Sequence, residues 1–144
     1  RQMCIRDRNQ RTVVPIRNFG ITEGAIATTV SHDCHNLTMI YRDPEDAWIA
    51  AETLKRSGGG IAVVLNGKVL ASLALPAAGL MSQLSVDSLA PQVEQVEKAV
   101  YDLCAGKSSL LKMSTFALAA LPGAIMTDKG VLDGQSQTFM PVFR

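Results

Sequence analysis

Both histidines of this chain fall within six consecutive residues that can donate, accept or titrate: Ser31-His32-Asp33-Cys34-His35-Asn36. Such a run between two apolar stretches is a candidate binding or acid–base site, because an imidazole can take up or release a proton near neutral pH. If the run continues as a strand, His32, Cys34 and Asn36 share one face, and Ser31, Asp33 and His35 share the other. If it bends, the groups can converge on a cleft. The competing structural reading is a strand end whose polar groups satisfy local backbone.

Three sharper chemistries fit less well. Two histidines and a cysteine could supply three metal ligands, but neighbouring strand residues point apart and there is no second cluster of ligands. Consecutive Ser31, His32 and Asp33 cannot reach one another in the geometry of a catalytic triad. The run Ser57-Gly58-Gly59-Gly60 follows a helix instead of preceding one, so it presents the wrong end of the dipole to a phosphate. It reads as a helix cap with tight entry to a strand. Met81 and Met113 read as core or cleft wall.

The elements that must position these residues can be sketched from pattern. Ala25–Val30 and Leu37–Tyr41 have strand character on either side of the polar run. Asp43-Pro44-Glu45-Asp46 starts a helix: Asp43 can cap, Pro44 suits the first position, and Asp46 places negative charge at the positive end of the dipole. Trp48, Ala51 and Leu54 form its expected apolar stripe, and Gly58 its left-handed cap. Ile61–Leu65, Asn66-Gly67 and Lys68–Leu73 make a β-hairpin, since both turn positions must accept positive φ. Leu75–Ser82 is an apolar connector or a short helix. A longer helix begins near Ser88, with Leu89, Val93, Val96, Val100 and Leu103 on one stripe, Pro91 in its first turn and Gly106 at its close. Met113–Leu121 fits a strand or a helix, 127–130 a turn, and Thr138–Phe143 a last strand broken by Pro141. The predicted class is α+β: a mixed sheet with the hairpin and two main helices packed on it.

Bulk properties bound the function. The chain has 144 residues, of which 47% are hydrophobic and 19% charged, an ordinary globular composition. Fourteen basic residues against thirteen acidic give a net charge of +1, with no basic segment beyond the extreme N-terminus, so no nucleic-acid surface is expected. No apolar run approaches the ~20 residues needed to cross a bilayer. Cys4, Cys34 and Cys104 are odd in number and far apart, which points away from a disulfide framework and towards a reducing cytoplasm. Residues 1–10 lack periodicity and any apolar leader segment. They read as a disordered or artefactual arm ahead of a domain over residues 11–144.

The segment Gly24–Asn36 (GAIATTVSHDCHN), led by Phe19-Gly20-Ile21, resembles the signature of the adenine deaminase C-terminal domain, with Cys34 where that family usually has serine. The resemblance continues in order through Ser57–Val64, Leu75–Ser82 (LPAAGLMS), Met113–Leu118, 127–130 and 139–143, covering about residues 11–143. It implies adenine as substrate, converted to hypoxanthine and ammonia in purine salvage. It also implies a partner: an upstream barrel of the amidohydrolase type, holding divalent metal (manganese or iron), that generates the hydroxide attacking the purine. That family's metal ligands begin with an H-x-H pair, whereas the histidines here read H-x-x-H, and the H-x-E and P-C-x-x-C signatures of zinc nucleobase deaminases are missing. This chain alone is therefore expected to bind no metal and to be inactive. The resemblance makes His32, Asp33 and His35 candidate catalytic residues, and Ser31 and Asn36 candidate substrate-binding residues. A homo-oligomer in the cytoplasm is expected, without nucleic acid or membrane. The alternatives are a non-catalytic structural or oligomerisation domain, or a purine-binding module without turnover.

Overall fold

Two strands have no solvent face. In the computed structural model, which describes residues 11–31, 35–118, 120–127 and 129–141, β1 (Ala25–Thr28) is buried throughout, and β3 (Gly60–Leu65) is buried up to its last residue. They pair antiparallel at the centre of a four-stranded sheet of order β2-β1-β3-β4, flanked by β2 (Thr38–Tyr41) and β4 (Lys68–Ala74). Burial on both faces requires a cover on each side.

Side-chain alternation assigns the covers. Ala27, Ala62 and Val64 point to one face and pack with Ala50 and Leu54 of helix α1 (Pro44–Ser57). Ile26, Ile61 and Val63 point to the other and pack with Val96, Val100 and Leu103 of helix α2 (Val86–Leu103). The α1 face is paved with alanine, so this helix can lie close. The α2 face carries the bulkier core, and each fully buried aliphatic side chain there contributes about 1.5–3 kcal/mol of transfer free energy. Phe19 and Met113 close this core at one end; Phe19 is 5.8 Å from the ring of Phe116 and accepts a hydrogen bond at its carbonyl from Ser108. Helix α3 (Leu110–Ser114) supplies Met113. Strands β5 (Ala124–Thr127), β6 (Gly130–Asp133) and β7 (Phe139–Met140) form a second sheet, bound to the segment after α3 by the Met126 N–H and the Phe116 carbonyl at 2.9 Å.

The α+β class holds, and in place of one sheet there are two, every ladder antiparallel. The hairpin forms as expected, with Asn66 and Gly67 at φ 51° and 76° and a bulge between Val63 and Val64. The helix caps also form: Asp43 accepts from the Glu45 N–H at 2.9 Å, and Gly58 is left-handed.

Several details differ. The buried stripe of α1 is Asp46, Ala47, Ala50 and Leu54, whereas Trp48 is 68% exposed. An alanine-paved sheet leaves no room for an indole. Asp46 is turned inward because its carboxylate accepts the N–H groups of Asn66 and Gly67, at 3.0 and 2.7 Å. A residue read as a dipole partner thus also ties α1 to the hairpin. Helix α2 starts at Val86, so Pro91 lies in its second turn, on the exposed side. Residues 75–82 form no helix. They make a tight turn closed by the Ala77–Met81 bridge, with Ala78 and Gly79 at positive φ. Among the described residues, Met113–Leu121 is helical to Ser114 and the last strand covers Phe139–Met140; residues 119, 142 and 143 of these expected elements lie outside the described residues. Met113 is core, but Met81 is 62% exposed.

Replacing Asp46 by alanine strands two turn N–H groups and should lower unfolding free energy by about 1–3 kcal/mol. Asp46→Asn, which keeps an acceptor, should cost less. Urea melts of both variants that coincide with the parent would refute the tie.

Candidate functional site

Strand β1 ends at Thr28, β2 begins at Thr38, and the two residues pair across the ladder. The polar run lies in the connection between them, and its described residues, Ser31, His35 and Asn36, are not part of a strand. The connection is closed twice. The Ser31 carbonyl accepts from the His35 N–H at 2.7 Å, and the Ser31 and Thr38 hydroxyls bond at 2.9 Å with both residues buried. His35 has φ 51°, a left-handed conformation that costs a non-glycine residue on the order of 1 kcal/mol and persists only where the surroundings impose it. Its side chain is exposed. Asn36 is half-buried, and among the described residues its Oδ1 is buried without a hydrogen-bond partner. His32 and Asp33, expected catalytic residues, and Cys34 lie outside the described residues.

The neighbours of this loop come from far along the chain. The Thr29 hydroxyl accepts from the Gly60 N–H at 2.7 Å and donates to the Gly79 carbonyl at 2.6 Å. The Leu75 N–H bonds the Gly59 carbonyl at 3.0 Å. A Cβ on Gly59 would lie 2.5 Å from the Gly79 Cα, so this approach requires glycine, and φ 118° there suits glycine alone. The end of β1, the Gly58–Gly60 turn and the Ala77–Met81 turn thus meet at one end of the sheet, where Thr29, two residues ahead of Ser31, ties the two turns together. Sequence reasoning missed Thr29, although it flanks the polar run inside the strand pattern. Nothing in its immediate surroundings signals a partner fifty residues away.

Comparison with known proteins decides the family. The adenine deaminase C-terminal domain matches residues 2–138. This chain belongs to that family. The domain is 40% identical over 129 residues to an adenine deaminase of Clostridium botulinum (strain ATCC 19397 / Type A), covering 89% of this chain and 22% of that protein. It is 34% identical over 143 residues to one of Shigella flexneri serotype 5b, covering 95% and 24%. A further adenine deaminase, from Thermosipho africanus, is 34% identical over 128 residues, 89% of this chain and 22% of its own. The domain thus spans less than a quarter of the length of these relatives.

Burial pushes the Cys104 thiol up, with Lys112 opposing it more weakly. Among the described residues no three of His, Cys, Asp and Glu gather as a metal-ligand group, and no helix is long and apolar enough to cross a membrane.

Thr29→Val keeps the shape and removes the hydroxyl. It should lower stability by about 1–3 kcal/mol and speed amide exchange across 75–81; unchanged exchange there would show that Thr29 is not the pin. Cys104, being buried with a raised thiol pKa, should resist iodoacetamide at neutral pH until the chain is unfolded; rapid labelling of its peptide in the native protein, read by mass spectrometry, would contradict that burial.

Proposed function

We propose that this domain completes the site of an adenine deaminase, in which a separate metal-bearing barrel carries out hydrolytic deamination of adenine to hypoxanthine and ammonia. What supports the reading is the meeting of family-like stretches at one end of the sheet, beside Asn36, whose Oδ1 is buried without a hydrogen-bond partner among the described residues. A buried unpaired acceptor costs about 1–3 kcal/mol, so a donor from outside the domain has a free-energy reason to bind. An N–H on the edge of a purine is such a donor.

Roles follow from placement. Asn36 accepts from the purine edge. His35, exposed in this connection, exchanges protons with the reacting amino group or with water. His32 and Asp33 share this catalytic role by resemblance. Ser31, whose hydroxyl is committed to Thr38, serves binding by fixing the loop.

Among the described residues no three His, Cys, Asp or Glu side chains gather to hold a metal. Manganese or iron belongs to the barrel in this reading, and hydrolytic chemistry with it. Purine salvage in the cytoplasm by a homo-oligomer is the setting that the resemblance supplies.

The reading predicts adenine-dependent ammonia release, with manganese or iron added, from a full-length chain that includes this domain, and none from the 144 residues alone. Activity of the short chain would overturn it. In the full-length chain, His35→Ala should lower kcat by about 10²–10⁴-fold if it moves a proton. Asn36→Ala should raise KM for adenine by roughly tenfold, the worth of one hydrogen bond. Unchanged turnover and unchanged KM in both variants would leave the loop a purely structural device.

A further inference from the structure

The ladder between β1 and β2 has its last pair at Thr28 and Thr38. Past that pair, hydroxyl groups take over from the ladder. The Thr28 hydroxyl accepts from the Val30 N–H at 3.0 Å. The Ser31 and Thr38 hydroxyls bond at 2.9 Å, and Thr28, Ser31 and Thr38 are all buried. Thr29 has the widest reach of the set. Its hydroxyl accepts from the Gly60 N–H at 2.7 Å, and its single proton goes to the Gly79 carbonyl at 2.6 Å in preference to the Gly60 carbonyl at 3.3 Å. Its backbone N–H adds a bond to the Gly60 carbonyl at 2.9 Å. One residue therefore fixes the exit of β1 against two turns, 31 and 50 residues further along the chain.

A short series of bonds carries this fixing to Asn36. Thr29 is two residues ahead of Ser31. The Ser31 carbonyl accepts from the His35 N–H at 2.7 Å, and Asn36 is the next residue. A shift of the chain at Thr29 is thus passed to the backbone that bears the Asn36 amide. Asn36 is half-buried and its Oδ1 is buried, so the amide has little room to absorb such a shift. A hydrogen bond weakens steeply outside a narrow range of distance and angle. A misplacement of about 1 Å, made far from the chemistry, can cost about 10²-fold in rate.

We propose that Thr29 is a positioning residue: its hydroxyl, shared between the Gly60 N–H and the Gly79 carbonyl, sets where Asn36 presents its Oδ1 to the purine edge. Thr29 touches no substrate in this role and acts through the Ser31–His35 bond. The inference rests on the reading of Asn36 as a purine acceptor. The role needs the hydroxyl and not the shape. Valine fills the same space but leaves the Gly60 N–H and the Gly79 carbonyl without this partner, whereas serine keeps it.

The test is steady-state deamination of adenine by a full-length chain that includes this domain, at a temperature well below its melting point. Thr29→Val should raise KM for adenine about tenfold and leave kcat within about threefold of the parent. Thr29→Ser should hold KM within about threefold. Added to Asn36→Ala, Thr29→Val should raise KM by less than about twofold more, because residues acting through one contact are not additive. A purely structural contact would lower the melting temperature of Thr29→Val and leave KM unchanged, and that result overturns the proposal. Equal damage from Thr29→Ser overturns it too, as do effects of Thr29→Val and Asn36→Ala on KM that multiply. If Thr29→Val does not fold, Gly79→Ala decides, since a Cβ there would meet the Thr29 Oγ1 at 3.1 Å and press the same contact with the hydroxyl still present. A rise in KM of about tenfold then supports the role, and a parental KM overturns it. Asn36→Ala separates the two readings. If it raises KM while Thr29→Val does not, the positioning role fails and the purine acceptor stands. If it leaves KM unchanged, the acceptor itself fails, and the positioning role with it.

Discussion

Strands β1 and β3 are buried on both faces, and the rest of the domain is arranged to satisfy that burial. Neither face can be left to water, because Ile26, Val63 and Ala62 are all fully enclosed. The chain therefore needs a helix above and a helix below, and the two faces set different requirements. Alanines facing α1 permit close approach. Isoleucines and valines facing α2 demand a helix with its own branched stripe, which Val96 and Val100 supply. Asp46 follows from the same closeness: once α1 lies this near the sheet, its first turn reaches the hairpin, and a carboxylate there satisfies two turn N–H groups.

The site end is built by a second constraint, the closeness of three backbones. Gly59 and Gly79 approach to a distance that no side chain tolerates, and one hydroxyl, from Thr29, serves both segments. The two turns are thereby tied to the end of β1, two residues ahead of Ser31. Within the loop, Ser31 and Thr38 bind each other, His35 is held left-handed, and Asn36 Oδ1 is buried without a partner among the described residues. Ordered backbone with an unmet acceptor is what a group completing someone else's site requires: the geometry is fixed in advance, and part of the hydrogen bonding waits for the other partner.

The division of labour that this implies is one of chemistry as well as geometry. In the proposed reading the domain brings amide, imidazole and hydroxyl groups to bind and move protons. Hydrolysis of an aromatic amine also needs an activated water. The described residues hold no cluster of ligands for a metal that would activate one. The relatives carry most of their length outside this domain, and that length is where the proposed reading places the missing function.

The sequence by itself determined the local pieces: the Asn66-Gly67 hairpin, the Asp43 and Gly58 caps, and the α2 stripe from Leu89 to Leu103. These depend on backbone preferences and periodicity within a few residues, which composition and spacing encode directly. The class was legible for the same reason, and the family through motifs that resemble its signature. Tertiary structure alone decided which face of α1 is buried, since the alanines that exclude Trp48 lie on other strands. It decided that Asp46 answers a hairpin twenty residues away, and that residues 75–82 close a tight turn where a helix was one expectation. It also joined Thr29, Gly59 and Gly79 into one contact and left Met81 in water. Each of these rests on a contact between segments distant in the chain, and such contacts are fixed by how the layers pack, which no local pattern carries.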